Sequence, residues 1–210
     1  MTQLFIDTAD LETIRGAFGE GIIRGVTTNP IVIRKEDPGI DVLKRIEDIA
    51  AIVPCVSVQL AGPDDRPEQY LEIDEGVIVK LPLEWLPRMP PALDRKRFNL
   101  TAILSEEQAA LAVMANPKIL SVFWNRSLDA HLSPADVVSF AKKLVLEKSF
   151  AKSEDDEYDP PEILVGSIRT VKDVVDAFKA EADIITVPPV ILAAMHRHAG
   201  TTKFLQECAG

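Results

Sequence analysis

Eight short runs of apolar and β-branched residues recur along the chain, most of them separated by amphipathic stretches. The runs cover residues 4–7, 22–27, 55–60, 77–81, 98–101, 119–124, 163–168 and 184–187, and each predicts a strand. Residues 41–52, 105–114, 134–146 and 170–180 carry apolar side chains at three- and four-residue spacing, which predicts helices. Strands alternating with helices require a parallel sheet with both faces covered. Eight repeats favour closure into a (β/α)8 TIM barrel over a doubly wound open sheet, the alternative. A chain of 210 residues with 47% hydrophobic residues can bury such a core. Neither a solenoid-period repeat nor a low-complexity linker divides it, so residues 1–210 are expected to form a single domain with a C-terminal helix. The acidic run 153–159 before Pro160 and Pro161 reads as a solvated loop leading into a strand.

A formal charge of −10 argues against nucleic-acid and anionic-membrane partners, which need a basic surface. The apolar segments 76–83 and 183–192 are too short to span a bilayer, and the second contains Pro188 and Pro189. Cys55 and Cys208 cannot build a disulfide framework, and the first residues lead into a strand pattern without a signal-peptide pattern. The expected location is the cytoplasm.

Polar residues appear where the apolar strand patterns run out: Asp7, Thr27 with Asn29, Gln59, Lys80, Asn99 with Thr101, Ser121 with Phe123, and Ser167 with Arg169. The four pairs are spaced by two residues, which puts both members on one strand face. If that face is the barrel interior, all of them converge at the carboxyl-terminal mouth, where barrel active sites lie. A lysine among Val77, Ile78, Val79 and Leu81 has an ordinary reading, a strand-end side chain reaching for water. Desolvation gives the other: a lowered pKa and a free amine able to attack a ketone. The resulting iminium accepts the electrons released when the C3–C4 bond of a ketose breaks. That chemistry needs no metal or cofactor, and His131, His196 and His198 are not spaced as a metal site. Asp7 is the candidate general acid/base, with Gln59 and Thr101 holding a water, although Asp7 or Asp10 could simply cap a helix starting near Ala9. Arg126, Ser167 and Arg169 are candidates for binding a substrate phosphate, while Arg126 could instead pair with Asp129 and Arg169 could be a surface charge at a helix start.

Seven segments, in order, resemble those of the small transaldolase and fructose-6-phosphate aldolase family. They are Phe5-Ile6-Asp7-Thr8-Ala9, Gly25-Val26-Thr27-Thr28-Asn29-Pro30, Val79-Lys80-Leu81-Pro82, Asn99-Leu100-Thr101, Ser121-Val122-Phe123-Trp124-Asn125-Arg126, Ser167-Ile168-Arg169 and the stretch 182–189. The resemblance implies a (β/α)8 barrel, a Schiff-base lysine at Lys80, an acid at Asp7 and a phosphate site that includes Arg126 and Arg169. It also implies phosphorylated sugar substrates and a homo-oligomer, with the C-terminal helix reaching a neighbour.

Transfer of a dihydroxyacetone unit between sugar phosphates is the first expectation, and fructose-6-phosphate aldolase-type release is the second. Gln59 resembles the aldolase branch; Asn99 and Phe123 resemble the transaldolase branch. A non-catalytic sugar-phosphate-binding barrel is disfavoured by the joint presence of Lys80, Asp7 and Thr101. The connections 61–75 and 83–97 are short for full helices, and Pro87, Pro90 and Pro91 interrupt the second. Trp124 and Asn125 replace a smaller pair before the arginine, which suggests a pocket suited to an unusual sugar, while Trp124 by itself reads as a packing residue.

Overall fold

In the computed structural model, which describes residues 1–36, 38–151 and 158–209, the β-branched runs form the strands they predict. These are β1 (Gln3–Asp7), β2 (Ile23–Thr28), β3 (Val56–Gln59), β4 (Val77–Pro82), β5 (Phe98–Ile103), β6 (Ile119–Phe123), β7 (Glu162–Gly166) and β8 (Ile184–Val187). Each pairs in parallel with its sequence neighbours, and β1 pairs with β8 through Gln3 opposite Ile184 and Phe5 opposite Thr186. Closure leaves no unpaired sheet edge. The register puts Lys80 between Gln59 of β3 and Asn99 of β5.

The helices are α1 (Leu11–Gly19), α2 (Pro30–Glu36), α3 (Val42–Ala50), α4 (Glu68–Leu71), α5 (Glu106–Ala115), α6 (Trp124–Asp129), α7 (Pro134–Phe150), α8 (Val171–Lys179), α9 (Pro189–Met195) and α10 (Ala199–Ala209). Local chemistry fixes several starts. Asp10 and Asp41 accept hydrogen bonds from the Thr13 and Leu43 amides, and Thr170 forms a capping box with Asp173. Asp10, not Asp7, therefore caps the first helix. Ile46 and Ile49 of α3, and Val174 and Ala177 of α8, are buried against the outward strand faces, where Val26, Val58, Val79, Leu100, Val122, Val165 and Ile185 are fully inaccessible.

The inward face is built in tiers. Phe5, Ile78, Ile119, Leu164 and Ile184 form a separate apolar cluster, with Cys55 packed against it, and plug the amino-terminal end of the barrel. Gly25 makes this floor possible, because a Cβ there would lie 2.6 Å from Phe5 Cζ and 2.8 Å from the Cys55 carbonyl oxygen. Burial holds the Cys55 thiol protonated, its pKa pushed up to about 12.

Two departures from a regular barrel follow from proline content and length. The β3–β4 connection forms only the single turn α4, and the β4–β5 connection has 3₁₀ turns at Leu83–Arg88, which contains Pro87, and at Arg95–Arg97. Helix α7 runs to Phe150, a turn past the predicted end at Leu146. Most of the acidic run lies in residues 152–157, outside the described residues. Among the described residues no helix is long and apolar enough to cross a membrane.

Gly25→Ala should overpack the floor and destabilise the protein by about 1–3 kcal/mol. Urea unfolding measures this, and an unchanged midpoint would mean that Phe5 has room to move aside.

Candidate active site

A cavity of about 480 Å³ opens above the apolar floor at the carboxyl ends of the strands. Asp7, Thr27, Asn29, Gln59, Lys80, Thr101, Ser121, Phe123, Arg126 and Ser167 all line it. The two-residue strand period accounts for this: Asp7 lies two residues beyond Phe5, Lys80 two beyond Ile78 and Ser121 two beyond Ile119, so the polar tier stands directly on the apolar one.

Lys80 is 7% exposed, and no hydrogen bond or ion pair engages its Nζ among the described residues. Burial lowers its pKa, while the charge of Asp7 opposes part of that shift. Thr27 Oγ1 lies 2.8 Å from Asp7 Oδ1 and 2.7 Å from Thr186 Oγ1. The Thr27 hydroxyl has one proton and gives it to the carboxylate, so Thr186 is the donor to Thr27. This hydroxyl chain fixes the Asp7 carboxylate from the β2 and β8 side. Thr101 Oγ1 is buried without a hydrogen-bond partner and belongs to the cavity wall, leaving it able to donate to, and accept from, a bound group.

Two of the expected residues do not reach the cavity. Asn99 is fully buried beneath it, where its amide accepts from Ser121 Oγ at 2.7 Å and donates to Ser57 Oγ at 2.9 Å. It orients Ser121, which does line the wall. Arg169 lies outside, exposed, with its guanidinium donating to both carboxylate oxygens of Asp129 at 2.9 and 2.5 Å. That contact lowers the pKa of Asp129 and raises that of Arg169. Asp129 thus pairs with Arg169, and Arg126 remains directed at the cavity. Asn29 has two roles, since it lines the cavity and its Oδ1 accepts from the Ile31 and Val32 amides at the start of α2.

Trp124 and Asn125 also lie away from the cavity. Trp124 is part of the main core, and Asn125 Nδ2 donates to the Ser167 carbonyl and to Asp173 Oδ2, both at 2.8 Å. Asp173 Oδ2 also accepts from the Arg169 and Thr170 amides. This clamp holds Ser167 at φ +59°, a left-handed conformation that a residue with a Cβ occupies at a cost of about 1–3 kcal/mol. Ala102, directly after Thr101, has the same φ. Left-handed backbone therefore adjoins the cavity within β5 and just beyond β7.

Among the polar and aromatic wall residues, sequence reasoning missed three, Arg34, Trp85 and Thr186. Thr186 had a usable signal, as the polar interruption of an otherwise apolar strand. Arg34 on α2 and Trp85 in the β4–β5 connection follow no strand period. Among the described residues no cluster of histidine, cysteine and carboxylate side chains could hold a metal ion.

Fold and site together define a (β/α)8 barrel with a desolvated lysine and an arginine-bearing wall at its mouth. The transaldolase/fructose-6-phosphate aldolase family profile matches residues 94–209, and the chain belongs to that family. A protein named "Probable transaldolase" from Pelotomaculum thermopropionicum is 34% identical, covering 98% of this chain and 96% of its own length. One of the same name from Paracoccus denitrificans is 33% identical, covering 98% and 94%. Two solved structures, both of low sequence identity, share only the fold. Tryptophan synthase from Mycobacterium tuberculosis superposes with a TM-score of 0.55 at 13% identity, covering 93% of this chain and 86% of that one. Thiamine phosphate pyrophosphorylase from Pyrococcus furiosus gives 0.54 at 14% identity, covering 89% and 85%.

Because burial lowers the Lys80 pKa, the folded protein binds fewer protons than the unfolded chain between the lowered value and the ordinary 10.5. Stability at this position rises with pH across that window. Lys80→Met should therefore be more stable than the wild type near neutral pH, with the gap narrowing as pH approaches 10.5. Urea unfolding at several pH values tests this, and a gap independent of pH would refute it.

Proposed function

We propose that this protein is a transaldolase that transfers a dihydroxyacetone unit from a ketose phosphate to an aldose phosphate through a Schiff base on Lys80. The observation that carries the reading is the buried Lys80 amine, its pKa lowered by desolvation, sharing one cavity with Asp7 and Arg126. The free amine adds to the C2 carbonyl of the ketose, and loss of water gives an iminium. Asp7, steadied by Thr27 and Thr186, takes the C4 hydroxyl proton. The C3–C4 electron pair then flows into the iminium, the aldose phosphate departs, and an enamine stays on Lys80. Addition of C3 to the aldehyde of a second aldose phosphate, followed by hydrolysis, completes the transfer. The iminium itself is the electron sink, so no metal or cofactor takes part.

Gln59 and Thr101 are the residues to hold the water that relays protons, Thr101 with a hydroxyl that no protein group engages among the described residues. Thr27, Asn29 and Ser121 face the sugar hydroxyls, with Ser121 held by Asn99. Arg126 and Ser167 receive the substrate phosphate, and Arg169 stands behind them on Asp129. Phe123 favours transfer because it brings no hydroxyl to order a water that would protonate the enamine. The names of the relatives agree with transfer. Gln59 favours a second reading, release of free dihydroxyacetone as in fructose-6-phosphate aldolases.

A homo-oligomer fits the C-terminal helix α10, which buries none of its residues and leaves Phe204 and Leu205 61% and 59% exposed. The free thiols of Cys55 and Cys208 suit the reducing cytoplasm.

Borohydride reduction with fructose 6-phosphate should trap an adduct on Lys80 that peptide mapping locates and Lys80→Met abolishes. An adduct at another lysine, or none with any ketose phosphate, would sink the mechanism. Wild-type turnover should depend on an aldose phosphate acceptor; free dihydroxyacetone formed without one would favour the second reading. Phe123→Tyr should shift turnover from transfer toward release by about a hundredfold, the lower end of the effect of placing one proton-transfer group. An unchanged ratio in a product assay would remove Phe123 from that role.

A further inference from the structure

The cavity has a second cationic end. Arg34 of α2 belongs to its wall, as does Arg126 of α6. Helix α2 follows β2 and α6 follows β6, and in the closed order β1 to β8 these strands stand four apart, on opposite sides of the mouth. Lys80 on β4 lies midway, two strands from each. A ketose joined through C2 to Lys80 therefore extends one arm toward Arg126 and the other toward Arg34.

Arg34 is not committed elsewhere among the described residues, where no ion pair or hydrogen bond engages its guanidinium. Glu36, two residues on, and Asp65, which lies with Arg34 in the surroundings of Tyr70, form no ion pair with it among the described residues and are turned to other donors. Glu36 accepts from Thr8 Oγ1 at 2.8 Å and from the Ala9 amide at 3.1 Å. Asp65 accepts from the Ala61 and Arg66 amides at 2.9 Å, from Gln69 Nε2 at 2.8 Å and from Tyr70 Oη at 3.1 Å. Arg169 shows the opposite arrangement, neutralised by Asp129 outside the cavity. Asp7 is the one carboxylate among the wall residues, against Arg34, Arg126 and Lys80, in a chain whose formal charge is −10. A cationic cavity in an acidic protein selects for anions, and guanidinium groups suit phosphate oxygens.

We propose that the cavity accepts ketoses with a phosphate at each end, Arg126 holding the distal phosphate and Arg34 the phosphate on C1. The inference rests on the Lys80 Schiff base. With such a substrate the Lys80 amine adds to C2 and water leaves. The C4 hydroxyl then loses its proton to Asp7, and the C3–C4 electron pair enters the iminium. The distal aldose phosphate departs, and the enamine remains on Lys80 with its own phosphate on Arg34. The retained unit is then anchored at two points, covalently and by charge, while the first product exchanges for an acceptor or the enamine is protonated at C3 and hydrolysed.

Borohydride trapping of the Lys80 adduct, followed by intact mass over a concentration series, tests the proposal with fructose 6-phosphate and fructose 1,6-bisphosphate. In the wild type the bisphosphate should half-saturate at a concentration about tenfold or more below the monophosphate, the gain expected of one charge-assisted phosphate contact. Arg34→Gln should bring the ratio of the two concentrations close to one, and Arg34→Lys, which keeps a cation, should restore part of the preference. A wild-type ratio near one overturns the proposal while leaving the Schiff base standing, and so does an Arg34→Gln ratio equal to that of the wild type. Absence of an adduct with either sugar overturns the Schiff-base reading and this inference with it. The wild-type comparison decides even if a variant fails to fold.

Discussion

Closure of the sheet is the constraint on which the rest depends. Once β1 pairs with β8, every strand has one face turned into a space too narrow for water throughout, and the side chains on that face must fill it. Phe5, Ile78, Ile119, Leu164 and Ile184 fill the lower part. A floor of that kind lets the next residues along the same strands be polar, because they are desolvated from beneath and open to ligand from above. The low dielectric that depresses the Lys80 pKa is thus the upper surface of the packing that stabilises the barrel. Gly25 ties the two together, since the Phe5 ring occupies the place a side chain would have taken.

Within the polar tier, neighbouring strands constrain one another. Asp7 accepts from Thr27 of β2, which Thr186 of β8 holds in turn, and Ser121 is held from β5 by Asn99, itself tied to Ser57 of β3. These buried hydrogen bonds are worth more for geometry than for stability, because each hydroxyl or amide loses water on burial and regains one or two partners. The result is a cavity whose acid and hydroxyl groups are positioned before a ligand arrives. Lys80 and Thr101 are left without such a tie among the described residues, so their side chains keep the freedom to meet a bound group.

Much of this was legible in the sequence because a strand has a period of two. Eight apolar runs with polar residues at their ends specified the barrel, its interior face and ten of the wall residues. Legibility failed where the deciding fact was a partner rather than a period. Asn99 shares its strand face with Thr101, yet Ser57 and Ser121 hold it below the cavity. Arg169 and Arg126 both follow strand ends, and only the position of Asp129 decides which of them faces outward. Arg34 and Trp85 sit on a short helix and a proline-bearing turn, where the direction of a side chain follows from tertiary packing and not from spacing. The bulk of Trp124 and Asn125 next to Arg126 suggested an altered pocket; the first turn of α6 instead directs Trp124 into the core, in line with its packing reading, and Asn125 toward the β7 loop.

The tie from Asn125 to the Ser167 carbonyl and to Asp173 has a consequence for how such a mouth can diversify. It fuses the loops after β6 and β7 into one mechanical unit, so that a shift of the turn carrying Arg126 is transmitted to Ser167 and the start of α8. The connections after β2, β3 and β4 are proline-bearing and are not joined by an equivalent buried amide among the described residues. One half of the rim is therefore inheritable only as a block, and the other can be altered a residue at a time. Change in the shape of the mouth should arise by drift of the loosely coupled half, against a fixed half that carries Arg126 and Ser167.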